Sequence, residues 1–191
     1  MLAIYTLISI LIIQANLFFD RTLTHFLVSF TTLSEYLLFI SFIWINLKNP
    51  KVKQAIVIIS ALYLIFSIFY ALTVKIKTID TIPIGIETII ILSFSFYFLY
   101  ERMNEPTTDL IYNDYRFWII LGMIIYLAGS FFIYIFSDQV DRKLFNKYLS
   151  LTYIFYALKN ILFALGIWVF AQKEPQKVKN QKESLPYLDI N

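Results

Sequence analysis

The chain contains no cysteine, only one histidine and few charged residues. Without cysteine, disulfides, thiolate catalysis and Cys-based metal sites are excluded within these 191 residues. A single histidine also excludes zinc sites built from several histidines and haem ligation by a histidine pair within one chain. Charged residues make up 15% of the sequence and hydrophobic residues 59%, whereas soluble domains carry about 25% charged residues. The composition therefore indicates a membrane protein.

Six long apolar stretches predict an all-α bundle of transmembrane helices over residues 1–172. A bilayer core of about 30 Å requires roughly 20 apolar residues in a helix, and β-barrel strands would instead alternate between apolar and polar positions. We expect the first stretch to be a retained helix rather than a cleaved signal, and residues 173–191 to form a basic, flexible tail. The predicted spans, joined by short loops, are 2–19, 23–47, 52–74, 82–100, 116–137 and 148–171.

The distribution of Lys and Arg predicts that both termini lie in the cytoplasm. Cytoplasmic loops carry an excess of these residues. In this orientation the inner side holds nine of them and the outer side six. The inner residues are Lys48, Lys51, Lys53, Arg102, Arg116, Lys173, Lys177, Lys179 and Lys182; the outer ones are Arg21, Lys75, Lys77, Arg142, Lys143 and Lys147.

All four glycines fall inside the predicted helices rather than in loops. In lipid, small residues allow neighbouring helices to approach closely. Gly122 and Gly129 are two turns apart and share a face of the fifth span, and Gly166 lies in the sixth. We interpret these three glycines as helix-packing positions; a binding groove along the fifth helix is the alternative.

Lys159 lies in the middle of the last span, where a lysine costs roughly 2.5–3.5 kcal/mol of insertion free energy. Glu35 lies at similar depth in the second span, which runs in the same direction. Glu87 lies in the fourth span, roughly 7 Å nearer the outer side at 1.5 Å per residue. We predict that Glu35 and Lys159 neutralise each other inside the bundle, with Glu87 in the same polar cavity or just above it, because intramembrane charges require a partner or water.

Three further polar residues complete this predicted ligand or ion pocket. Thr31 precedes Glu35 by one helical turn, Tyr156 lies on the same side of its helix as Lys159, and Asn160 follows Lys159. Three interpretations of the group remain open: a pocket, a structural ion pair that fixes the helix register, or contacts with lipid or with a lateral partner. His25 lies near the outer interface, either as a pH-sensitive residue or as an anchor among the headgroups.

Three segments carry a resemblance to known proteins: DTIPIGIETIIIL (80–92), FWIILGMIIYLAGSFFIYIFS (117–137) and LKNILFALGI (158–167). They resemble small uncharacterised bacterial membrane proteins and the membrane regions that precede cytoplasmic modules in some sensor histidine kinases. The resemblance implies a stand-alone sensory or partner subunit in the bacterial cytoplasmic (inner) membrane. It implies no site residues, and the 191 residues contain no kinase catalytic domain.

The sequence leaves two non-enzymatic functions open. One is a sensory or partner-binding subunit, alone or oligomeric, that contacts a signalling protein through the 101–115 loop or the tail. The other is a small ion- or solute-transporting subunit. No Asp lies within an apolar run and His25 has no evident nucleophile partner, so we expect no catalytic residues. We also expect no cofactor, no metal and no nucleic-acid partner, and we expect the lipid bilayer as the surroundings.

Overall fold

The computed structural model describes the backbone of residues 21–73, 81–105, 110–135 and 142–183. Side chains are described for residues 30–73, 82–105, 110–133 and 151–172. The described backbone forms five α-helices, with one 3₁₀ turn before the fourth. The helices are α1 (Arg21–Asn46), α2 (Pro50–Thr73), α3 (Thr81–Met103), α4 (Tyr115–Ile135) and α5 (Arg142–Glu183), and the 3₁₀ turn is Ile111–Asn113.

Four of these helices contain a segment that is long and apolar enough to cross a bilayer. In α1 the apolar segment with described side chains is shorter, Phe30–Asn46. The protein is therefore an all-α, membrane-embedded bundle. Helices α1 to α5 correspond to the second to sixth predicted spans, whereas the predicted span 2–19 lies outside the described residues and stays a prediction. The four long segments are Pro50–Thr73, Ile82–Met103, Tyr115–Ile133 and Leu151–Gln172.

Helix α5 is much longer than its predicted span of 148–171. It begins at Arg142 and ends at Glu183, so the backbone of 173–183 is helical where the sequence predicts a flexible tail. Apart from Pro175, most residues beyond the apolar span are Lys, Gln and Glu, which have high helix propensity, and none is glycine. The helix therefore continues after its apolar residues end.

Helix α3 lies between two pairs of helices, α1 with α2 and α4 with α5. The most extensive interface joins α4 to α5, and α3 contacts α4 on one side and α1 and α2 on the other. The core is built from Ile, Phe, Tyr, Leu and Met side chains, and all five helices contribute to it. Its most buried large members include Tyr36, Phe39, Ile91, Phe98, Ile120 and Met123.

The glycines allow α4 and α5 to approach closely. A Cβ atom added to Gly129 would lie 2.5 Å from the Phe155 ring, and one added to Gly122 would lie 3.1 Å from the Phe163 ring. On α5, a Cβ atom at Gly166 would lie 3.0 Å from the carbonyl oxygen of Tyr115. All three glycines predicted as packing positions thus lie at this interface. The face that Gly122 and Gly129 share is filled by side chains of α5.

Helix α2 exposes most of its apolar surface. Only Ile56 and Tyr63 are buried along its 24 residues. The other side is lined by large apolar side chains that would be unfavourable in water but match the acyl chains of a bilayer. The exposed residues are Val57, Ile58, Ile59, Leu62, Ile65, Ile68, Phe69 and Leu72.

Candidate functional site

Lys159 is completely buried in the middle of the apolar part of α5. Its Nζ atom lies 3.5 Å from Oε1 of Glu35 on α1. The hydroxyl of Tyr126 on α4 donates a hydrogen bond of 3.4 Å to Oε2 of the same carboxylate. The ion pair predicted from the matched depth of Glu35 and Lys159 is therefore present, and it joins α1 to α5.

Three aromatic rings surround the same ammonium group. The distance from Nζ of Lys159 to the ring centroid is 3.8 Å for Tyr126, 4.3 Å for Tyr156 and 5.6 Å for Phe39. A ring face carries partial negative charge and attracts a cation within about 6 Å, most strongly where water is excluded. We call Glu35, Phe39, Tyr126 and Tyr156, which surround Nζ, the Lys159 box.

Helical periodicity explains how the box is assembled. Glu35 and Phe39 are four residues apart on α1, and Tyr156 and Lys159 are three apart on α5, so each pair lies on one helix face. One turn beyond Lys159, the Phe163 ring packs edge-on against Phe39 with the centroids 6.3 Å apart. The Tyr126 and Tyr156 rings meet edge-on at 6.1 Å. The walls of the box therefore pack against each other as well as against the ammonium group.

Glu87 lies beside the box rather than inside it. Its side chain on α3 is 4% exposed, and it is close enough to Glu35 to interact electrostatically. The hydroxyl of Tyr63 on α2 faces Glu87 and donates a hydrogen bond of 3.4 Å to the Pro83 carbonyl oxygen. The structure thus places both predicted carboxylates in one largely buried region, with the Lys159 ammonium group beside Glu35.

A second pair of tyrosines extends this polar region towards α2. The rings of Tyr36 and Tyr63 lie 4.4 Å apart, and the Tyr36 hydroxyl donates a hydrogen bond of 2.8 Å to Oγ of Ser60. Polar groups therefore run from Lys159 through Glu35 and Glu87 to Ser60, across α5, α1, α3 and α2. The apolar bundle therefore holds a group of neighbouring ionisable and hydroxyl side chains.

The remaining predicted site residues take less central positions. Thr31 is half-buried one turn before Glu35, and Asn160 is half-buried next to Lys159. Oδ1 of Asn160 is buried without a hydrogen-bond partner among the described residues. The backbone of His25 lies in α1, but its side chain is outside the described residues.

Sequence reasoning missed Tyr126, Tyr36, Tyr63 and Phe39. Tyrosine is enriched where membrane meets water, so the sequence alone favours an interfacial role for most tyrosines. Tyr126 departs from that pattern, since it lies near the middle of its span between Gly122 and Gly129. A tyrosine at mid-span is a signal of an interior polar partner. Phe39 carries no such signal because phenylalanine is common throughout the spans.

A separate network of ion pairs links the α1–α2 loop to the α3–α4 connection; we call Lys48, Arg102, Glu105, Asp114 and Arg116 the loop network. Oε2 of Glu105 lies 3.0 Å from Nζ of Lys48 and 2.8 Å from Nη1 of Arg102. Oδ2 of Asp114 lies 2.9 Å from Nη2 of Arg116 and 3.8 Å from Nε of Arg102. Two loops that are distant in sequence are therefore joined at one end of the bundle.

The loop network changes the acidity of its two carboxyl groups. Burial by itself raises the pKa of Glu105, but hydrogen bonds and charges from Lys48 and Arg102 outweigh burial and hold the pKa below its ordinary value. Burial also opposes ionisation of Asp114, yet hydrogen bonds from the Arg116 side chain and backbone lower the pKa of Asp114. Both groups are therefore ionised near neutral pH.

Glu101 provides a further link at the same end. Its two carboxylate oxygens accept hydrogen bonds of 2.9 Å from the backbone N–H groups of Lys48 and Asn49. Oδ1 of Asn49 in turn accepts a hydrogen bond from the Lys51 N–H and caps α2, which begins with Pro50. The end of α3 thereby fixes the start of α2.

The groups that the site brings together are suited to charge recognition. Among the side chains that the structure describes, no three His, Asp or Glu residues are grouped so that they could hold a metal ion. What the geometry provides is a buried ammonium group, two carboxylates and several aromatic hydroxyls. The chain matches no protein-family model, and no curated protein or solved structure is significantly similar to it.

Proposed function

We propose that this protein is a non-enzymatic sensory or partner-binding subunit whose intramembrane centre is the Lys159 box. One observation carries the proposal: a fully buried ammonium group holds side chains from α1, α4 and α5 around it. Any event that moves this charge must change the contacts between three helices, because an unpaired charge in lipid is costly. The resemblance to the membrane regions of sensor kinases favours the same function.

Helix α5 supplies a route from the centre to the membrane surface. Lys159 lies in its apolar segment, and the same helix continues to Glu183 through a segment with four lysines. At the start of α4, the ring centroids of Phe170 and Tyr115 lie 5.0 Å apart. Tyr115 lies between Asp114 and Arg116 of the loop network. Movement of α5 therefore acts on both of the surfaces that we propose for partner binding, the 101–115 loop and the tail. In this proposal both surfaces lie in the bacterial cytoplasm.

Site-specific photocrosslinking in native cells tests the proposal. A photoreactive phenylalanine at Met103, which is 74% exposed, or at Lys177 should form an adduct with a discrete partner protein, and the amount of adduct should change several-fold in Lys159→Gln. Leu72, 81% exposed towards the other end of the bundle, provides the matched control position. Ser93→Ala, in which an exposed hydroxyl is lost, provides the matched control variant. Adducts that are absent, or that do not respond to Lys159→Gln, would argue against a sensory role.

A second candidate function is transport of protons or small cations. It is favoured by the buried carboxylate of Glu87, the largely buried carboxylate of Glu35 and the hydroxyl groups of Tyr63 and of the Tyr36–Ser60 hydrogen bond nearby. Proteoliposomes provide the test: flux should be lost in Glu35→Gln and in Glu87→Gln but retained in Glu105→Gln, which alters only the loop network. Equal flux in the wild type and all three variants, or no flux in the wild type, would exclude this function for the isolated chain.

A further inference from the structure

The Lys159 box has the composition of a recognition site for an organic ammonium ion. Aromatic rings attract a ligand cation that lies over their faces, and cages of such rings bind organic ammonium groups. A carboxylate beside the rings adds charge attraction and a hydrogen-bond acceptor. Resting on the function proposed above, we infer that the box is a binding site for a primary ammonium group and that Lys159 occupies it as a tethered ligand. The natural ligand class would then be an alkylamine that displaces Nζ from Glu35.

The geometry fits a primary ammonium better than a quaternary one. Glu35 Oε1, at 3.5 Å from Nζ, is a hydrogen-bond acceptor that a quaternary ammonium could not use. The carboxylate is itself oriented by the Tyr126 hydroxyl. The closest ring centroid, that of Tyr126 at 3.8 Å, leaves little room for methyl groups on the nitrogen.

The walls of the box are supported independently of the lysine. Phe39 is 1% exposed and packs against Phe163, and Tyr126 packs against Tyr156. Tyr126 also lies on α4 between two glycines that seat α4 against α5. Truncation of the lysine side chain should therefore leave a cavity with rings and a carboxylate in place.

Displacement of Lys159 would have a mechanical consequence. The ion pair with Glu35 joins α1 to α5. An incoming amine that takes over Glu35 would neutralise the acid and break the ion pair by which Lys159 joins α5 to α1. Ligand binding would thus release the helix that continues to Glu183.

Chemical rescue tests this inference. Lys159→Ala removes three carbons and the nitrogen, so n-propylammonium replaces the missing atoms. In nanodiscs, saturating n-propylammonium should raise the Tm of Lys159→Ala by about 5–10 °C. The neutral alcohol n-propanol should have no saturable effect. On the wild type the same concentration of amine should shift the Tm far less than on Lys159→Ala, because the tethered lysine competes at high effective concentration and must be displaced. In Lys159→Ala combined with Glu35→Gln, the shift should disappear.

Comparison of two amines identifies the side from which the ligand arrives. A rise in the Tm of Lys159→Ala with n-propylammonium indicates entry from water. A rise with n-decylammonium alone, compared with n-decanol, indicates entry from lipid. Either result supports the inference. No saturable shift with either amine, an equal shift with the matched alcohol, or a shift that survives Glu35→Gln would overturn it. Should Lys159→Ala fold poorly, the yield of folded protein from cells grown with and without amine gives the same comparison, and absence of recovery by amine overturns the inference. Such a failure leaves the crosslinking test of the sensory function unaffected.

Discussion

At the scale of single residues, the bilayer sets the free energies that matter. Lys159 and Glu35 each lie where solvent cannot stabilise a charge, so the folded protein depends on their mutual attraction and on the surrounding rings. Replacement of both by apolar residues of similar size can leave stability unchanged, whereas removal of one leaves an unpaired charge. Variants that change both members of the pair therefore separate direct pairing from the cost of leaving one charge unpaired.

Charge reversal provides that comparison. Lys159→Glu or Glu35→Lys alone should lower stability by about 3–5 kcal/mol, since each leaves like charges buried together. The swapped double variant should recover a large part of this loss, measured as folded yield and Tm in detergent. Reversal of Lys51, an exposed charge outside the loop network, is the control and should have little effect. A double variant no better than the worse single variant would contradict direct pairing.

Tyr126 allows the ring and the hydroxyl to be separated. Tyr126→Phe keeps the ring above Nζ of Lys159 but removes the hydrogen bond to Glu35, and its cost should be about 1 kcal/mol. Tyr126→Leu also removes the ring face and should cost a further 0.5–2 kcal/mol, roughly. Tyr153, 70% exposed on α5, is the control for loss of a tyrosine. Equal destabilisation by Phe and Leu at position 126, measured by thermal unfolding, would show that the ring does not stabilise the ammonium group.

At the scale of helices, the tight α4–α5 interface makes glycine necessary where a ring faces the backbone. Gly129→Ala should destabilise by about 1–3 kcal/mol because the new methyl group overlaps the Phe155 ring. Phe155→Leu should relieve part of that loss in the double variant. A methyl group at Gly122 would lie 3.1 Å from the nearest ring atom, farther than the 2.5 Å at Gly129, so Gly122→Ala should destabilise less. A stability of Gly129→Ala equal to wild type would mean that the helices separate more easily than their contacts indicate.

The loop network predicts a dependence on pH. Because the pKa values of Glu105 and Asp114 are lowered by folding, their contribution is complete above the ordinary carboxyl pKa of about 4 and is lost as pH falls through the lower folded values. The difference in Tm between wild type and Asp114→Asn should therefore be constant near neutral pH and shrink below about pH 4. Lys51→Gln, an exposed charge outside the network, should show no such pattern. A difference that changes between pH 6 and 8 would point to another titrating group.

At the scale of the whole molecule, the sequence predicts the helices and their charged contact better than it predicts their ends. Uniformly apolar runs give α1 to α4 within three residues of their observed bounds, and matched depth brings Glu35 to Lys159. The end of α5 is not predicted, because the residues after 171 extend the helix through their helix propensity and not through their hydrophobicity. Tyr126 and Phe39 escape because which aromatic faces the interior depends on how α1 and α4 are rotated, and rotation is set by contacts distant in sequence.

Because the chain lacks cysteine, its orientation can be mapped without background labelling. The loop network places the α1–α2 loop and the α3–α4 connection at one end of the bundle, so Lys51→Cys and Asn104→Cys must react from the same side of the membrane. The excess of Lys and Arg predicts that this side is the cytoplasm. In intact cells a membrane-impermeant maleimide should therefore label neither position, and both should react after permeabilisation, whereas Thr73→Cys, exposed at the last residue of α2, should react in intact cells. Labelling of Lys51→Cys and Asn104→Cys from outside would invert the topology, and labelling of only one of them would contradict the fold itself.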